Sequence, residues 1–471
     1  MLDSGWAAKE VEGARLVDAR FRRVMAQILE AKGADSGASF SAVCGNALRQ
    51  AAGRFLRHEQ TKDEDLLAGH QQATLDRCLG KRTIVVAQDT SSYNYSTHRA
   101  TTGLGPLNDS AKAAGIHQHS ALAMTPQRLP LGVVDVYFWA RSQQELDEEK
   151  AAKSKKAADK RPIEDKESFR WIRTKRHIEQ LFTPYVQAGG EVVIVADREA
   201  DIFDFLADER IPGVELVIRA AQPRRVQVCG QDERYSLLEA AQKGRRLGEY
   251  TVQVTGPTRA QDREAKMELA SCTIDVLPPT DRKDYTGGPV TLTVVEACEV
   301  TPEGFTETPL HWVMITTLDA SDFELARRVI DLYTCRWEIE RFHFTLKSGC
   351  QAERLQMDDY ATLCNTLALY LIVAWRLLYI THLARVEPDM PAGEIIDESE
   401  LAILNQKSRV PVTTVGQAIL AIAKLAGFEP YKNGPPPGVK SLWIGLRKLE
   451  DMAAGWRLAM SSIRRRDVNQ A

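Results

Sequence analysis

The sequence lacks three features that would indicate a function at once: paired cysteines, a phosphate-binding loop and a strong charge imbalance. Its eight cysteines include no C-x-x-C pair, which disfavours a zinc ribbon or a disulfide framework and fits a reducing compartment. No G-x-x-x-x-G-K-[ST] loop occurs, so we expect no nucleotide cofactor. The 61 basic and 64 acidic residues leave a net charge of −3, so any surface for a polyanion has to be a local patch.

Long apolar runs are also scarce. The longest, from Tyr360 to Trp375, contains Asn365 and Thr366 and ends at Arg376, which makes it short for a span of about 20 apolar residues. The first ten residues, MLDSGWAAKE, do not have the basic-then-apolar order of a signal peptide. We therefore expect a buried helix from Tyr360 onwards, no membrane segment and a cytoplasmic location.

Length and patterning predict an α/β protein of several parts. A chain of 471 residues exceeds one ordinary hydrophobic core, and 44% hydrophobic with 27% charged residues is typical of a folded protein. Helical spacing at both ends and β-branched runs between them define the parts. The predicted parts are a helical domain 1–80, the first part of an α/β core 81–212, a β-rich insertion 213–317, the second part of the core 318–385, a linker 386–411 and a helical region 412–471.

Two aspartates follow apolar strands of the predicted core. Asp89 ends the run TIVVAQ, and Asp197 ends EVVIVA. In open α/β sheets the carboxyl ends of the strands face the crevice where ligands bind. Each aspartate could instead be a helix N-cap or a turn residue, because aspartate favours both positions.

A helix predicted over DLYTCRWEIERFHFTLK strengthens the functional interpretation. At about 100° per residue, its polar side chains share one stripe about 60° wide, formed by Tyr333, Arg336, Glu340 and Lys347. A separate apolar face contains Leu332, Cys335, Ile339, Phe342 and Leu346. The alternative is an exposed face with one weak ion pair between Arg336 and Glu340.

A third carboxylate joining the two aspartates favours a two-metal phosphoryl-transfer site. Carboxylate oxygens suit Mg²⁺ or Mn²⁺, and two such ions can activate an attacking oxygen and stabilise a leaving one. A glycosidase also needs two carboxylates, but it would not explain the cationic Arg336 and Lys347 beside the third acid. Asp89, Asp197 and Glu340 are therefore the predicted catalytic residues and ligands of two ions.

These residues resemble the bacterial cut-and-paste DDE transposases of the insertion-sequence type. The pattern Y-x-x-R-x-x-x-E-x-x-x-x-x-x-K carries the resemblance, together with DREADI at 197–202 and the DT dipeptide at Asp89. Further matching segments are RFLR at 54–57, HS at 119–120, TPLHW at 308–312 and RVIDLYTCRWEIERFH at 328–343, with LAGF at 425–428, PG at 437–438 and LW at 442–443 near the C-terminus. The resemblance extends over nearly the whole chain.

The resemblance implies an RNase H-like core interrupted by the β-rich insertion, a helical N-terminal DNA-binding domain and a helical C-terminal dimerisation region. It implies end nicking, hairpin formation and resolution, and strand transfer on double-stranded DNA. The partners are inverted-repeat transposon ends, target DNA and a second copy of the chain in a paired-end complex. The location implied is the bacterial cytoplasm, on the nucleoid.

The resemblance also implies DNA-contacting residues. Trp312 matches a position that holds a base flipped out of the stack, although a buried core tryptophan is the alternative. Tyr333, Arg336 and Lys347 would hold the distorted end, and Arg219 would contact DNA. Arg54 and Arg57, on the basic edge of a predicted N-terminal helix, are either DNA contacts or a solvated face.

Two other functions remain open from the sequence. One is a non-catalytic or inhibitory relative that binds DNA ends, against which the intact acids and signature argue. The other is a stand-alone RNase H-like nuclease, which the C-terminal match and the insertion disfavour.

Overall fold

Helices occupy both ends of the chain and strands its middle, as the hydrophobic spacing predicts, and the protein is a mixed α/β fold. The computed structural model describes residues 5–107, 113–154, 161–230, 233–254, 262–280, 285–302, 304–408, 410–431 and 434–468. Two compact units are present. The first, called the helical unit, contains Met1–Leu79, Thr90–Ala151 and Glu338–Ala471, and the second, called the sheet unit, contains Gly80–Asp89 and Ala152–Trp337.

The strands are β1 Thr83–Asn94, β2 Gly105–Pro106, β3 Ala114–Met124, β4 Pro130–Trp139, β5 Glu191–Ala196, β6 Val214–Arg219, β7 Arg225–Val228, β8 Arg234–Ser236, β9 Arg245–Val254, β10 Arg263–Val276, β11 Val290–Glu299 and β12 His311–Thr316. The helices are α1 Trp6–Val11, α2 Ala19–Ala34, α3 Phe40–Leu56, α4 Asp63–Cys78, α5 Gln143–Ser154, α6 Phe169–Gln187, α7 Phe203–Ala207, α8 Leu237–Gln242, α9 Phe323–Thr334, α10 Trp337–Phe344, α11 Tyr360–Val386, α12 Glu398–Lys407, α13 Val415–Leu425 and α14 Val439–Val468.

The helical unit is built around α11. This 27-residue helix has the length and hydropathy of a membrane span, but 89% of its apolar window is buried inside the fold, as expected for a helix that is apolar on all sides. Two polar side chains anchor it: Asn365 donates hydrogen bonds to the carbonyls of Leu56 and Thr61, and Trp375 donates one to the carbonyl of Pro130. The predicted buried helix is therefore confirmed.

The C-terminal helices pack within the same unit. Helix α13 contacts α14, and both contact α11. A Cβ at Gly445 of α14 would lie 2.1 Å from the carbonyl oxygen of Ile422 in α13, so only glycine permits this approach. The apolar face of α13, which includes Ile419 and Ile422, is already buried by its own chain. Any dimer contact here has to use other residues.

The sheet unit joins a parallel and an antiparallel part. The first half of β1 pairs in parallel with β5, and β5 pairs in parallel with β6. Strand β12 then adds antiparallel to β6, and the order continues through β11, β10, β7 and β8, with β9 on β10. The predicted short strands after residue 213 are thus present as β6 to β12.

Two local predictions are wrong. Strand β1 does not end at Asp89 but continues to Asn94. The helix predicted over 331–347 is not continuous, because α9 ends at Thr334 and α10 begins at Trp337. Between them the amides of Cys335 and Arg336 donate to carbonyls three residues back, which tightens the turn. A five-residue π-helix, Thr345–Gly349, then follows α10.

A buried ionic network links α1 and α4 in the helical unit. Glu10 contacts Nδ1 of His70 at 2.5 Å and the guanidinium of Arg77 at 2.7 Å. Nε2 of His70 accepts a hydrogen bond from the amide of Val133, so the ring is neutral with its proton on Nδ1. Burial lowers the pKa of His70, although the Glu10 carboxylate opposes the shift.

This network makes stability sensitive to acid. Because the pKa of His70 in the folded state lies below its ordinary value of 6.5, the unfolded chain binds the proton first, and stability is lost as pH falls below that value. We expect the thermal midpoint to fall by about 2–4 °C for each kcal/mol lost. His70→Gln should lower the midpoint at neutral pH but show a smaller further loss on acidification. Calorimetric scans on both sides of the His70 transition measure this, and an equal acid loss in the variant would contradict it.

Candidate active site and nucleic-acid groove

The two predicted aspartates lie at the same edge of the sheet unit. Gln88 of β1 and Ala196 of β5 are the last paired residues of these parallel strands, so Asp89 and Asp197 are the next residue on each. Neighbouring strands are about 4.8 Å apart. The pairing therefore places Asp89 and Asp197 side by side, although β1 itself continues beyond Asp89.

The two carboxylates have different surroundings. Oδ2 of Asp89 lies 3.9 Å from Nη1 of Arg336, and both side chains are mostly buried. Asp197 caps a short 3₁₀ turn, where its Oδ1 accepts a hydrogen bond from the amide of Glu199 at 2.9 Å. Asp197 therefore occupies an N-cap position, but this does not exclude a functional role, because the capping bond fixes one oxygen while the side chain stays partly exposed.

Three further predicted residues surround this edge. The guanidinium of Arg336 lies 5.9 Å from the ring of Tyr333. Burial raises the pKa of Tyr333, whereas the charges of Arg336 and Arg219 lower it and the charge of Asp197 raises it further. The sheet unit therefore brings together Asp89, Asp197, Arg219, Tyr333 and Arg336.

Asp201 is a residue of this region that the sequence did not identify as important. Its Oδ2 accepts hydrogen bonds from the amides of Ala221 and Gln222, at 2.7 and 2.8 Å, and its side chain also pairs with Arg224. These bonds fix the segment that follows Arg219. These bonds join residues 20 or more positions apart, so local sequence patterns could not predict them. The only available signal was that Asp201 is the second aspartate of the DREADI segment.

Trp312 lies on β12, opposite Ala297 of β11. Its side chain is partly exposed, so it is not the fully buried core tryptophan of the alternative interpretation. On the neighbouring strand β6, Arg219 lies opposite Met314. Trp312 and Arg219 therefore belong to the same antiparallel part of the sheet.

Glu340 and Lys347 belong to the helical unit. Glu340 is partly exposed on α10, and Lys347 lies in the π-helix with its Nζ 5.5 Å from the ring of Tyr93. Tyr333 lies on α9, Arg336 in the turn after it, Glu340 on α10 and Lys347 in the π-helix. No single regular helix relates the four side chains, and their common stripe stays a prediction. Its apolar counterpart is confirmed, since Leu332, Cys335, Ile339, Phe342 and Leu346 are all buried.

The edge of the sheet unit that carries Asp89 and Asp197 offers the type of ligand atom that a divalent cation prefers. Two carboxylates supply hard oxygen ligands, which Mg²⁺ and Mn²⁺ prefer, and Asp89 is too far from Arg336 for a tight hydrogen bond. Asp89 and Asp197 lie in one unit and Glu340 in the other. Within the described ranges no group of three His, Cys, Asp or Glu side chains could hold a metal ion. Convergence of the three acids therefore stays a prediction.

A groove crosses the surface of the helical unit. It consists of three adjoining cavities, of which the central one has a volume of about 710 Å³. The central cavity shares Arg49, Gly53 and Arg57 with the cavity on one side, and it shares Gly37, Gln351 and Arg354 with the cavity on the other. The three therefore form one continuous surface, called here the basic groove.

The lining of the basic groove is predominantly cationic. Its basic side chains come from both ends of the sequence, namely Arg49, Arg54, Arg57, His98, Arg354, Arg447 and Lys448, and among the described residues that line it the one acid is Asp35. Arg57 pairs with the exposed Asp358 at 2.7 Å. A groove of this charge fits a phosphate backbone, and it includes the predicted Arg54 and Arg57. The contributions of Arg354 and Arg447 were not predicted.

Comparison with known families adds one domain-level finding. Residues 3–61 match the family model described as Transposase DNA-binding. The matched residues include α1 to α3 and therefore Arg49, Arg54 and Arg57 of the basic groove. The N-terminal part of the chain is thus similar to a DNA-binding domain of transposases.

A comparison with solved structures finds a distant similarity to the cryo-EM structure of a piggyBac transposase synaptic complex with hairpin DNA. The TM-score is 0.30 at 10% sequence identity, over 80% of this chain and 64% of that chain. The match spans less than two thirds of the piggyBac chain, and a TM-score this low does not establish a shared fold.

Proposed function

We propose that this protein is a DNA transposase that performs metal-dependent cut-and-paste transposition on double-stranded DNA. The main observation is the placement of Asp89 and Asp197 side by side on adjacent parallel strands, with Arg336 next to Asp89. The Transposase DNA-binding match at residues 3–61 supports DNA as the substrate. The proposal includes an RNase H-like core, with the β-rich segment as an insertion in it.

Each residue has a separate proposed role. Asp89, Asp197 and Glu340 would hold two Mg²⁺ or Mn²⁺ ions, which when bound would activate the attacking oxygen and stabilise the leaving one. Arg336 and Tyr333 would orient the phosphate beside Asp89, and Lys347 would add a cation from the helical unit. The basic groove would hold the DNA backbone outside the cleavage point.

The products of a cleavage assay distinguish the three functions. The intact protein is incubated with Mg²⁺ and end-labelled DNA that contains the inverted repeat flanking its coding region. A transposase gives nicks, then hairpin ends, then strand transfer into target DNA. A nuclease gives only open breaks, and an inhibitory relative binds the ends without cutting, so either result would contradict the proposal.

Trp312 is expected to affect one step selectively. Stacking of a base on an aromatic ring contributes about 1–3 kcal/mol, which is comparable to the few kcal/mol needed to unstack a base. Trp312→Ala should therefore spare the first nick and slow hairpin formation by about 10–100-fold, while Trp312→Phe retains most of the rate. Time courses on pre-nicked DNA measure the hairpin step. Unfolding of Trp312→Ala would instead support a core-packing role.

Assembly of two ends would require a second copy of the chain, because each end needs its own active site. On α14, Trp456 and Leu458 remain exposed, at 36% and 69%, unlike the buried face of α13. We expect the double variant Trp456→Ser, Leu458→Ser to form single-end but not paired-end complexes on a native gel. Normal paired-end complexes would place dimerisation elsewhere. Ile419→Ser is a contrasting variant, expected to unfold the unit rather than block pairing alone.

A further inference from the structure

Strand β3 carries an unusual run of buried polar residues in the helical unit. His117, Gln118, His119 and Ser120 are consecutive, and each is at most 6% exposed. A buried polar side chain without a partner costs about 1–3 kcal/mol in proteins, so a run of four requires specific contacts. Two of them, His119 and Ser120, form the HS dipeptide that belongs to the sequence resemblance.

His119 is bonded to the strand that carries a predicted catalytic acid. Its Nδ1 lies 2.9 Å from the hydroxyl of Thr90, and Thr90 directly follows Asp89 on β1. The contact joins residues 29 positions apart and fixes the Thr90 side chain. Because neighbouring residues of a strand share one peptide plane, fixing Thr90 also restricts the backbone of Asp89.

Ser120 makes the corresponding contact to the helix of the third acid. Its hydroxyl lies 2.8 Å from Nε2 of His343, and His343 is three residues after Glu340 on α10, on the next turn of the helix. Burial, assisted by the nearby charge of Lys347, lowers the pKa of His343 to about 3. The ring is therefore neutral at physiological pH, and its hydrogen bond does not depend on a charge.

We infer that His119 and Ser120 are positioning residues for the proposed reaction: His119 orients Asp89 through Thr90, and Ser120 orients Glu340 through His343. The inference rests on the proposed function, since it concerns the acids of that site. Neither residue is assigned a contact with DNA or metal. Two adjacent residues of β3 would thus position Asp89 and Glu340, which are 251 residues apart in the sequence.

Loss of these positioning contacts should measurably change cleavage and metal affinity. Metal-binding side chains have to be held within about 0.5 Å of the productive geometry, and loss of the groups that orient them typically lowers metal affinity or activity by about 10–100-fold. We expect effects of this size in cleavage and in the Mg²⁺ concentration for half-maximal rate. Affinity for end DNA should be unchanged.

The identity of the bonded nitrogen provides a matched test. An asparagine amide reaches the position of Nδ1 in histidine, and a glutamine amide reaches that of Nε2. His119→Asn should therefore retain near wild-type cleavage, while His119→Gln loses about 10–100-fold. At His343 the bonded nitrogen is Nε2, so the expected ranking of the two variants is the opposite. His343→Gln should retain activity, and His343→Asn should lose it. If the two histidines acted only by packing, activity would depend on side-chain size at both positions. Asn and Gln would then rank in the same order at His119 and at His343.

Two further measurements accompany the rates. Ser120→Ala should reproduce His343→Asn, and combining the two should add nothing, because both remove one bond. The increase in thermal midpoint produced by Mn²⁺ alone, without DNA, should be smaller in His119→Gln and His343→Asn than in their matched partners. This second readout reports the acid geometry without relying on turnover.

The outcomes separate this inference from the proposed function. If the wild-type protein cleaves end DNA and all four histidine variants are equally active, or equally inactive while still folded, the positioning role is wrong and the function stands. If a variant does not fold, Ser120→Ala and Thr90→Val decide the matter, since each removes a hydroxyl with little change in volume, and unchanged cleavage in both overturns the inference. If the wild-type protein does not cleave DNA, both ideas fail together.

Discussion

Asp89→Asn, Asp197→Asn and Glu340→Gln are each expected to lower cleavage of end DNA by at least about 100–1,000-fold, the loss typical of removing one group that stabilises a transition state. Each substitution keeps the size of the side chain and removes its negative charge. An amide is a much weaker ligand for Mg²⁺ than a carboxylate, so the loss should appear in the chemical step. Gel-based cleavage rates at saturating protein measure it directly.

Binding to end DNA should survive these three substitutions within about two-fold, because the basic groove lies on other residues. Glu199→Gln is a matched control, since Glu199 is two residues from Asp197, 62% exposed and paired with Arg170. Its cleavage rate should be unchanged. Retained cleavage in Mg²⁺ by any of the three acid variants would remove that residue from the proposed site.

Arg49→Gln, Arg54→Gln and Arg57→Gln together are expected to weaken binding to end DNA by about 100-fold. The estimate assumes that each arginine contacts one phosphate and contributes at least about 1 kcal/mol. The dependence of log affinity on log salt should become less steep by about 0.9 for each arginine that no longer neutralises a phosphate, or about 2.7 in total. Fluorescence anisotropy across a salt series measures both quantities.

A triple lysine variant tests whether position or charge matters. Lys407, Lys424 and Lys440 are exposed on the helical unit outside the basic groove, so replacing them with Gln removes the same charge. We expect the salt dependence of this control to stay close to wild type. Equal weakening by both triple variants would mean that binding follows overall charge, and the basic groove would then lose its proposed role.

The second half of the basic groove gives a separate measurement. Arg354 precedes α11 and Arg447 lies on α14, outside the residues 3–61 that match a DNA-binding family. Arg354→Gln with Arg447→Gln should make the salt dependence less steep by about 1.8 if one duplex occupies the whole groove. An unchanged salt dependence would mean that DNA occupies only the part of the groove formed by α3.

The local pattern of the sequence determined the elements and their buried faces. Alternation and apolar runs predicted β1 and β5, and helical spacing predicted the buried face of the segment around Ile339, because such periods report the side of an element that is shielded from water. The same pattern placed Asp89 and Asp197 after their apolar runs. Strand register then put them together, as expected for parallel neighbours.

Only the tertiary structure decided where regular elements break and which distant residues meet. The turn at Cys335 and Arg336 depends on two shifted backbone hydrogen bonds, whose energies are too small for composition to reveal. The basic groove and the contacts of Ser120 and His343 join residues more than 200 positions apart. A period of two or 3.6 residues contains no information about such pairs, since their proximity results from packing between elements and not from propensity within them.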